Sequence, residues 1–375
     1  MNEVFFKVAT AVIEKSDANH PADAVLRDEL RKQRGLTRDD GWEISKAIFA
    51  YFRWLGWMNA KEPLPSRMEK ALRLTEKFRE YPDSFFDDHM VAKAVPDWIR
   101  EQVDVTPAFA RALQKEPKLW LRTKHGMREA VERELRYCSV PENANLPDAL
   151  EYEGSIDLFR TPQFHEGLFE LQDIASQAVS VICDPKPGET WWDACAGEGG
   201  KTLHLSELMQ NKGLIWASDR AEWRLKRLKQ RAARAKAFNY RAVSWDGSEK
   251  LPTKTKFDGV LVDAPCSGVG TWQRNPHARW TTTAQDVSEL AEVQSRLLGN
   301  VAGSVKPGGK LVYSVCTLTR AETTDVVTAF QKAFPDFEPV DFPNPLQPKT
   351  IKRDLFMWPQ EFGGNGMFVA SWKRK

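Results

Sequence analysis

The stretch Thr190-Trp-Trp-Asp-Ala-Cys-Ala-Gly-Glu-Gly-Gly-Lys-Thr202 reads as a short apolar strand, a glycine-rich turn and the first turn of a helix. The pattern repeats downstream. Strands are predicted at residues 190–194, 214–218, 240–244, 259–263 and 310–314, with helices starting near Lys201, Ala221 and Asp286. Apolar strand runs alternating with amphipathic helices build a doubly wound α/β sheet. In such a sheet ligands bind beyond the carboxyl ends of the strands, so the residues at each strand end decide the chemistry.

The first strand ends in Asp193, followed by Gly197, Gly199 and Gly200. Lacking a Cβ, these let the backbone bend sharply and approach a nucleotide-type ligand closely. The closing Gly200-Lys-Thr202 suggests a phosphate-binding loop, but that motif needs a glycine at position 195, where the chain has Cys195. A purely structural turn is one alternative. The other is the acid-x-G-x-G-x-G signature of S-adenosylmethionine enzymes, with Asp193 as the acid and Cys195 in place of the first glycine. The next strand ends in Asp219, where such folds hold ribose hydroxyls, and the following one leads to Asp246, placed to meet an adenine. A helix cap is the competing use of either acid.

Residues 259–263 deliver Asp263 into Ala264-Pro-Cys-Ser-Gly268. Residues 310–314 follow a turn at Lys306-Pro-Gly-Gly309 and lead into Ser314-Val-Cys-Thr-Leu318. A lone cysteine in such a place is ordinarily a packed thiol. Two strands that each present one, Cys266 and Cys316, at the same sheet edge are not explained by packing. From the residues alone, either thiol can be the nucleophile.

The rest of the 375 residues exceeds what one core can organise. Residues 1–80 read as a helical domain: Val4, Val8, Ala11 and Val12, then Ile44, Ile48, Tyr51, Phe52 and Leu55, recur at helical spacing from Asn2 to about Asn59. The aromatic stripe Phe49, Tyr51, Phe52, Trp54 and Trp57 is read as core. Pro63, Pro65, Pro82 and Pro96 punctuate a polar stretch read as connecting structure, with residues 81–94 as the link. Residues 95–160 form an expected small α+β module, with a helix at 98–103, a strand at 119–122 and a helix at 128–137. Residues 161–375 are the catalytic domain.

A net charge of +2, from 54 basic against 52 acidic residues, does not itself indicate nucleic acid. Residues 220–236 carry eight basic side chains and one acid, Glu222, which reads first as a solvated helix face with Leu225, Leu228, Ala232 and Ala235 turned inward. The five cysteines are odd in number and form no CxxC pair, so reduced thiols are expected, with no disulfide framework and no metal. No apolar run is long enough to span a bilayer and no signal segment is visible, which places the chain in the cytoplasm, away from membranes. A monomer is expected.

These strings resemble the RNA 5-methylcytosine methyltransferase family, the bacterial RsmB-type enzymes and their NOL/NOP/Sun relatives, whose members modify ribosomal and transfer RNA. The likeness runs from about Glu166 to the C-terminus. It is carried by Gly167-Leu-Phe-Glu-Leu-Gln-Asp-Ile-Ala-Ser176, the loop of residues 193–202, Asp263-Ala-Pro-Cys-Ser-Gly268, Tyr313-Ser-Val-Cys-Thr317 and the ending from Trp358-Pro to Ser371. It implies a Rossmann-like class I S-adenosylmethionine-dependent methyltransferase domain, an N-terminal all-α domain loosely similar to the NusB-like RNA-binding domain, and a small α+β module between them. It also implies cofactor contacts from Cys195, Ala196, Gly197, Glu198, Gly199, Gly200 and Lys201, with Asp219, Asp246 and Asp263 lining the same site. Cys316 becomes the nucleophile, Cys266 serves product release, and Asp263 and Lys201 act near the cytosine. The chain departs from the family at Gly197 and Glu198, where Ala and Pro are usual, at Val315 for Thr, and at Gly363-Gly-Asn-Gly-Met-Phe368 for Gly-Thr-Asp-Gly-Phe-Phe.

The implied reaction is methylation of cytosine carbon 5 in RNA, most of all ribosomal RNA, through a covalent Cys316–cytosine intermediate on a single-stranded or flipped base. The alternatives are a transfer-RNA substrate, an RNA-binding scaffold of weak activity, and a DNA cytosine methyltransferase attacking through Cys266. The second cysteine and the missing target-recognition insert speak against the DNA enzyme.

Overall fold

The computed structural model describes residues 3–33, 35–142 and 144–375; Asn2, where the helical pattern was expected to begin, lies outside them. The chain divides into two compact units, Met1–Pro117 with Gly268–Asp286, and Lys118–Ser267 with Val287–Lys375. These divisions do not fall at residues 80, 94 and 160. Helical structure continues past 94 into the first unit, while the strands of the expected α+β module belong to the second.

The first unit is built on helices Glu3–Lys15, Ala22–Lys32, Arg38–Arg53, Leu64–Glu80, Asp87–Lys93 and Pro107–Ala112. Thr37 and Asp40 start the third with a reciprocal capping box, each side chain bonded to the other's backbone N–H. The prolines expected to mark connecting structure do not break it. Pro65 sits in the first turn of a 17-residue helix, where a missing N–H costs nothing, and Met68, Ala71 and Phe78 bury that helix's inner face. The aromatic stripe is core: Trp54 is fully buried against Trp57, Phe78 and Phe85. Arg279, on the returning segment Gly268–Asp286, is also fully buried. Its guanidinium donates to the carbonyls of Ala94 (2.9 Å), Leu113 (2.8 Å) and Arg53 (3.3 Å), which stand at the C-terminal ends of three helices, and to that of Trp272 (3.2 Å). Orphan helix-end carbonyls are thereby satisfied by one cation. Burial, with the nearby Arg53 charge, pushes the Arg279 pKa down to about 9.

The second unit holds two main sheets. The smaller is antiparallel, with β1 (Leu119–Thr123), β2 (Cys138–Ser139), β3 (Ala149–Tyr152) and β4 (Phe169–Leu171) in the order β2-β3-β1-β4. The larger contains β5 (Thr190–Asp193), β6 (Leu214–Asp219), β7 (Tyr240–Ser244), β8 (Phe257–Asp263), β9 (Val305–Val315) and β10 (Phe337–Pro339). β11 (Phe342–Asn344) and β12 (Gln347–Lys352) pair as a separate hairpin. β13 (Asp354–Met357) and β14 (Met367–Arg374) return to the large sheet, whose order is β10-β14-β9-β8-β5-β6-β7, with β13 on β14.

β5 pairs in parallel with both β6 and β8, so the winding reverses between β5 and β8. That switch point opens a crevice at the carboxyl ends, where Asp193 and Asp263 emerge. All five predicted strands are present. Residues 306–309, read as a turn, form a bulge inside β9, because Phe257 pairs with Val305 and Gly259 with Lys310. β14, where no strand was predicted, lies antiparallel to β9 and is buried from Met367 to Trp372. Helix Glu222–Ala235 buries Leu225, Leu228 and Ala232, and Glu170 of β4 receives Arg231 and Arg234 from its polar face.

Candidate active site

At the switch point a cleft of about 520 Å³ opens, within the range of small-ligand sites. Its lining includes Cys195, Ala196, Gly197, Glu198, Gly200, Lys201, Asp219, Asp246, Asp263, Cys266 and Cys316. Every site residue expected from sequence is there except Gly199, which turns away. Gly199 caps helix Gly200–Leu208 at φ +88°, and a Cβ on it would stand 2.6 Å from Leu228. Gly197, at φ +55°, has open space where a Cβ would point, so the loop presents bare backbone to the cleft.

On the β5–β6 side, Asp219 braces the loop: its carboxylate accepts from the Gly197 N–H (3.0 Å) and the Ala221 N–H (2.8 Å). The second bond closes a turn that begins two residues before the N-cap of helix Glu222–Ala235, which has no side-chain cap, so Asp219 is not the helix cap weighed from sequence and faces the cleft. Asp246 lies exposed at the rim and accepts from the Ser248 N–H at 3.0 Å; the Ser248 hydroxyl first, and then this N–H, lower its pKa. Sequence reasoning treated Asp193 as a motif position only, yet its side chain lines the cleft. Its Oδ2 accepts from Thr202 Oγ1 at 2.6 Å, whereas the buried Oδ1 has no partner among the described residues. Burial raises its pKa to about 7. Glu198 is tied to Arg227 at 2.7 Å, so its charge is partnered. The exposed Arg220, Arg224 and Arg296 also rim the cleft; Arg296 sits two residues past buried Gln294 on helix Ala284–Ala302, a position without a local sequence signal.

On the β8–β9 side the polar groups are fully interlocked. Lys201 Nζ donates to Asp263 Oδ2 at 2.7 Å, and Ser314 Oγ donates to Asp263 Oδ1 at 2.7 Å. Burial works against the Lys201 charge, but the Asp263 charge and hydrogen bond outweigh it and the pKa is raised. The Cys266 and Cys316 sulfurs lie 3.2 Å apart. None of the five cysteines is joined in a disulfide. Desolvation pushes up the pKa of the buried Cys183 thiol, to about 12, and that of the half-buried Cys195 thiol. Among the described residues, no cluster of His, Cys, Asp or Glu fits a metal ion, and no helix is long and apolar enough to cross a membrane.

The family model of the 16S rRNA methyltransferase RsmB/F matches residues 180–373, the segment that builds this cleft. The chain belongs to that family. Among RsmB/F relatives, the probable ribosomal RNA small subunit methyltransferase B of Bacillus subtilis (strain 168) is 38% identical over 219 residues, 56% of this chain and 49% of that protein. The probable ribosomal RNA small subunit methyltransferase B of Synechocystis sp. (strain ATCC 27184 / PCC 6803 / Kazusa) is 31% identical over 339 residues, 84% of this chain and 76% of that one. The chain thus spans about half the length of the first relative and about three quarters of the second. The crystal structure of PH0851 superposes with a TM-score of 0.78 at 25% identity, covering 99% of this chain and 97% of that one. A methyltransferase homolog protein from Pyrococcus horikoshii gives a TM-score of 0.60 at 27% identity over 72% of this chain and 90% of that one.

The cofactor of the RsmB/F family is S-adenosylmethionine, and the residues present fit it. Asp193 Oδ1 is an unfilled acceptor for an ammonium, Asp219 stands at a strand end suited to ribose hydroxyls, and Gly197 leaves room for close approach.

Proposed function

We propose that this RsmB/F protein methylates carbon 5 of cytosine in RNA, with ribosomal RNA of the small subunit as the substrate, and that Cys316 forms the covalent bond to the base. The observation that carries the thiol chemistry is the pair of thiols 3.2 Å apart at the ends of adjacent strands, beside the Lys201–Asp263 pair; the family resemblance favours Cys316 of the two. S-adenosylmethionine supplies an electrophilic methyl group on its sulfonium.

Carbon 5 of cytosine is too electron-poor to take that methyl unaided. Addition of the Cys316 sulfur to carbon 6 turns the ring into an enamine whose carbon 5 is nucleophilic. Asp263, held by Lys201 and Ser314, is positioned to accept from the cytosine amino group and from a proton on the ring nitrogen, and that proton offsets the electrons the addition pushes onto the ring. After methyl transfer a base takes the carbon 5 proton and the carbon–sulfur bond breaks, returning the electrons to Cys316. Cys266, with its sulfur against that of Cys316, is placed to serve this release. The base must leave any stack to reach the cleft.

The supporting measurement is labelled methyl transfer from S-adenosylmethionine into RNA, followed by nucleoside analysis. Label in 5-methylcytidine from ribosomal RNA is expected; label in another nucleoside, or in transfer RNA alone, contradicts the reading.

A further inference from the structure

We propose that Glu322 is a positioning residue that yokes the two thiol-bearing loops and sets the spacing of the Cys266 and Cys316 sulfurs; this rests on the reading of those thiols as the reacting pair. Glu322 lies beyond the recognised motifs and outside the cleft lining, and is fully buried. Its Oε1 accepts from the Ser267 N–H at 2.8 Å and Gln294 Nε2 at 2.9 Å. Its Oε2 accepts from Ser267 Oγ (2.5 Å), Thr319 Oγ1 (2.8 Å) and Thr317 Oγ1 (3.1 Å). Ser267 follows Cys266 in the chain and Thr317 follows Cys316, so one carboxyl group is bonded to the immediate neighbours of both thiols.

The clamp is braced from behind. Gln294 Nε2 also donates to the Pro265 carbonyl at 3.0 Å, on the other side of Cys266. Tyr313 Oη bridges Gln294 Oε1 (3.0 Å) and the Glu322 carbonyl (2.7 Å). A buried acid is tolerated only where donors converge on it, and here five do. A side chain of this reach, accepting at both oxygens, fixes two loops that the strand ladder alone leaves free beyond Asp263 and Val315.

The chemistry predicts which replacement rescues. In Glu322→Gln the amide oxygen can keep the Oε1 contacts, and the two N–H bonds of the amide nitrogen can donate to two of the three hydroxyls, which rotate to accept. Glu322→Ala leaves the loops unlinked.

The test uses the full chain and reads the sulfur spacing directly. Diamide oxidises the two thiols to a disulfide, its N=N bond taking up both hydrogens, and mass spectrometry follows the Cys266–Cys316 cross-linked peptide. Glu322→Ala is expected to cross-link about tenfold more slowly than wild type and to lose about 10²-fold in kcat, as a misplacement near 1 Å does, while S-adenosylmethionine affinity is retained; Glu322→Gln stands near wild type in both. If Glu322→Ala fails to fold, the Ser267→Ala/Thr319→Val pair, which removes two of the five bonds, must show the same slowing. Wild-type cross-linking and kcat in a folded Glu322→Ala, or in that pair, overturn the proposal. Slowed cross-linking in a protein that methylates no RNA supports the yoke and defeats the functional reading.

Discussion

The two sides of the cleft are built differently. On the β8–β9 side, Lys201, Asp263, Ser314 and the residues around Glu322 bond to one another within the chain. On the β5–β6 side, Asp193 Oδ1 has no partner among the described residues, Asp246 stands exposed, and Gly197 offers bare backbone. Groups that must meet a transition state are held in advance, because reorganising them during the reaction costs rate. Groups that hold an exchanging molecule are left without a partner inside the chain. We therefore propose that the thiol side governs kcat and the glycine-loop side cofactor affinity.

The largest effect that tests this division is expected from Lys201→Met. It removes the ammonium that orients Asp263, so kcat falls by about 10²–10³-fold, the loss typical of one preorganised electrostatic partner. Cofactor affinity by calorimetry changes little. An affinity loss as large as the kcat loss breaks the division.

Asp193→Asn comes next and acts through affinity. An amide cannot pair ionically with an ammonium, so the dissociation constant rises about 10–100-fold. In wild type, affinity weakens about tenfold per pH unit below the Asp193 pKa of about 7 and levels off above it. The sign of the stability effect follows from the same shift. The folded-state pKa lies above the ordinary value of 3.8, so ionising the buried acid costs stability that grows from about pH 4 to pH 7 and is then constant. Asp193→Asn escapes that cost. Its ligand-free Tm advantage over wild type should widen across this window; an advantage that narrows contradicts the assignment.

The smallest effect belongs to Glu198→Gln. Glu198 departs from the family loop but pairs with the half-exposed Arg227, and such pairs contribute about 0–1 kcal/mol. Cofactor affinity should change less than about threefold.

Legibility in the sequence followed the range of the signal. The strand ends that carry Asp193, Asp219, Asp263 and the thiols were readable, because a strand and the turn after it are local. Helix Leu64–Glu80 was hidden by Pro63 and Pro65, since a proline in the first turn looks the same as one that breaks a helix. β14 was missed because its place between β9 and β10 is a long-range pairing. Asp193 stood in a recognised motif, but only burial and an unbonded oxygen set it apart. Glu322 had no motif around it; its bonds reach residues 28 and 55 positions away. Residue types alone left Cys266 and Cys316 equivalent, and their separation of 3.2 Å does not rank them.

The most direct test of the central claim is therefore a denaturing gel of each cysteine variant incubated with S-adenosylmethionine and substrate RNA. Cys266→Ala is expected to accumulate a covalent protein–RNA band, and Cys316→Ala to give none and to transfer no methyl group. A band from Cys316→Ala with none from Cys266→Ala would make Cys266 the attacking thiol and contradict the account.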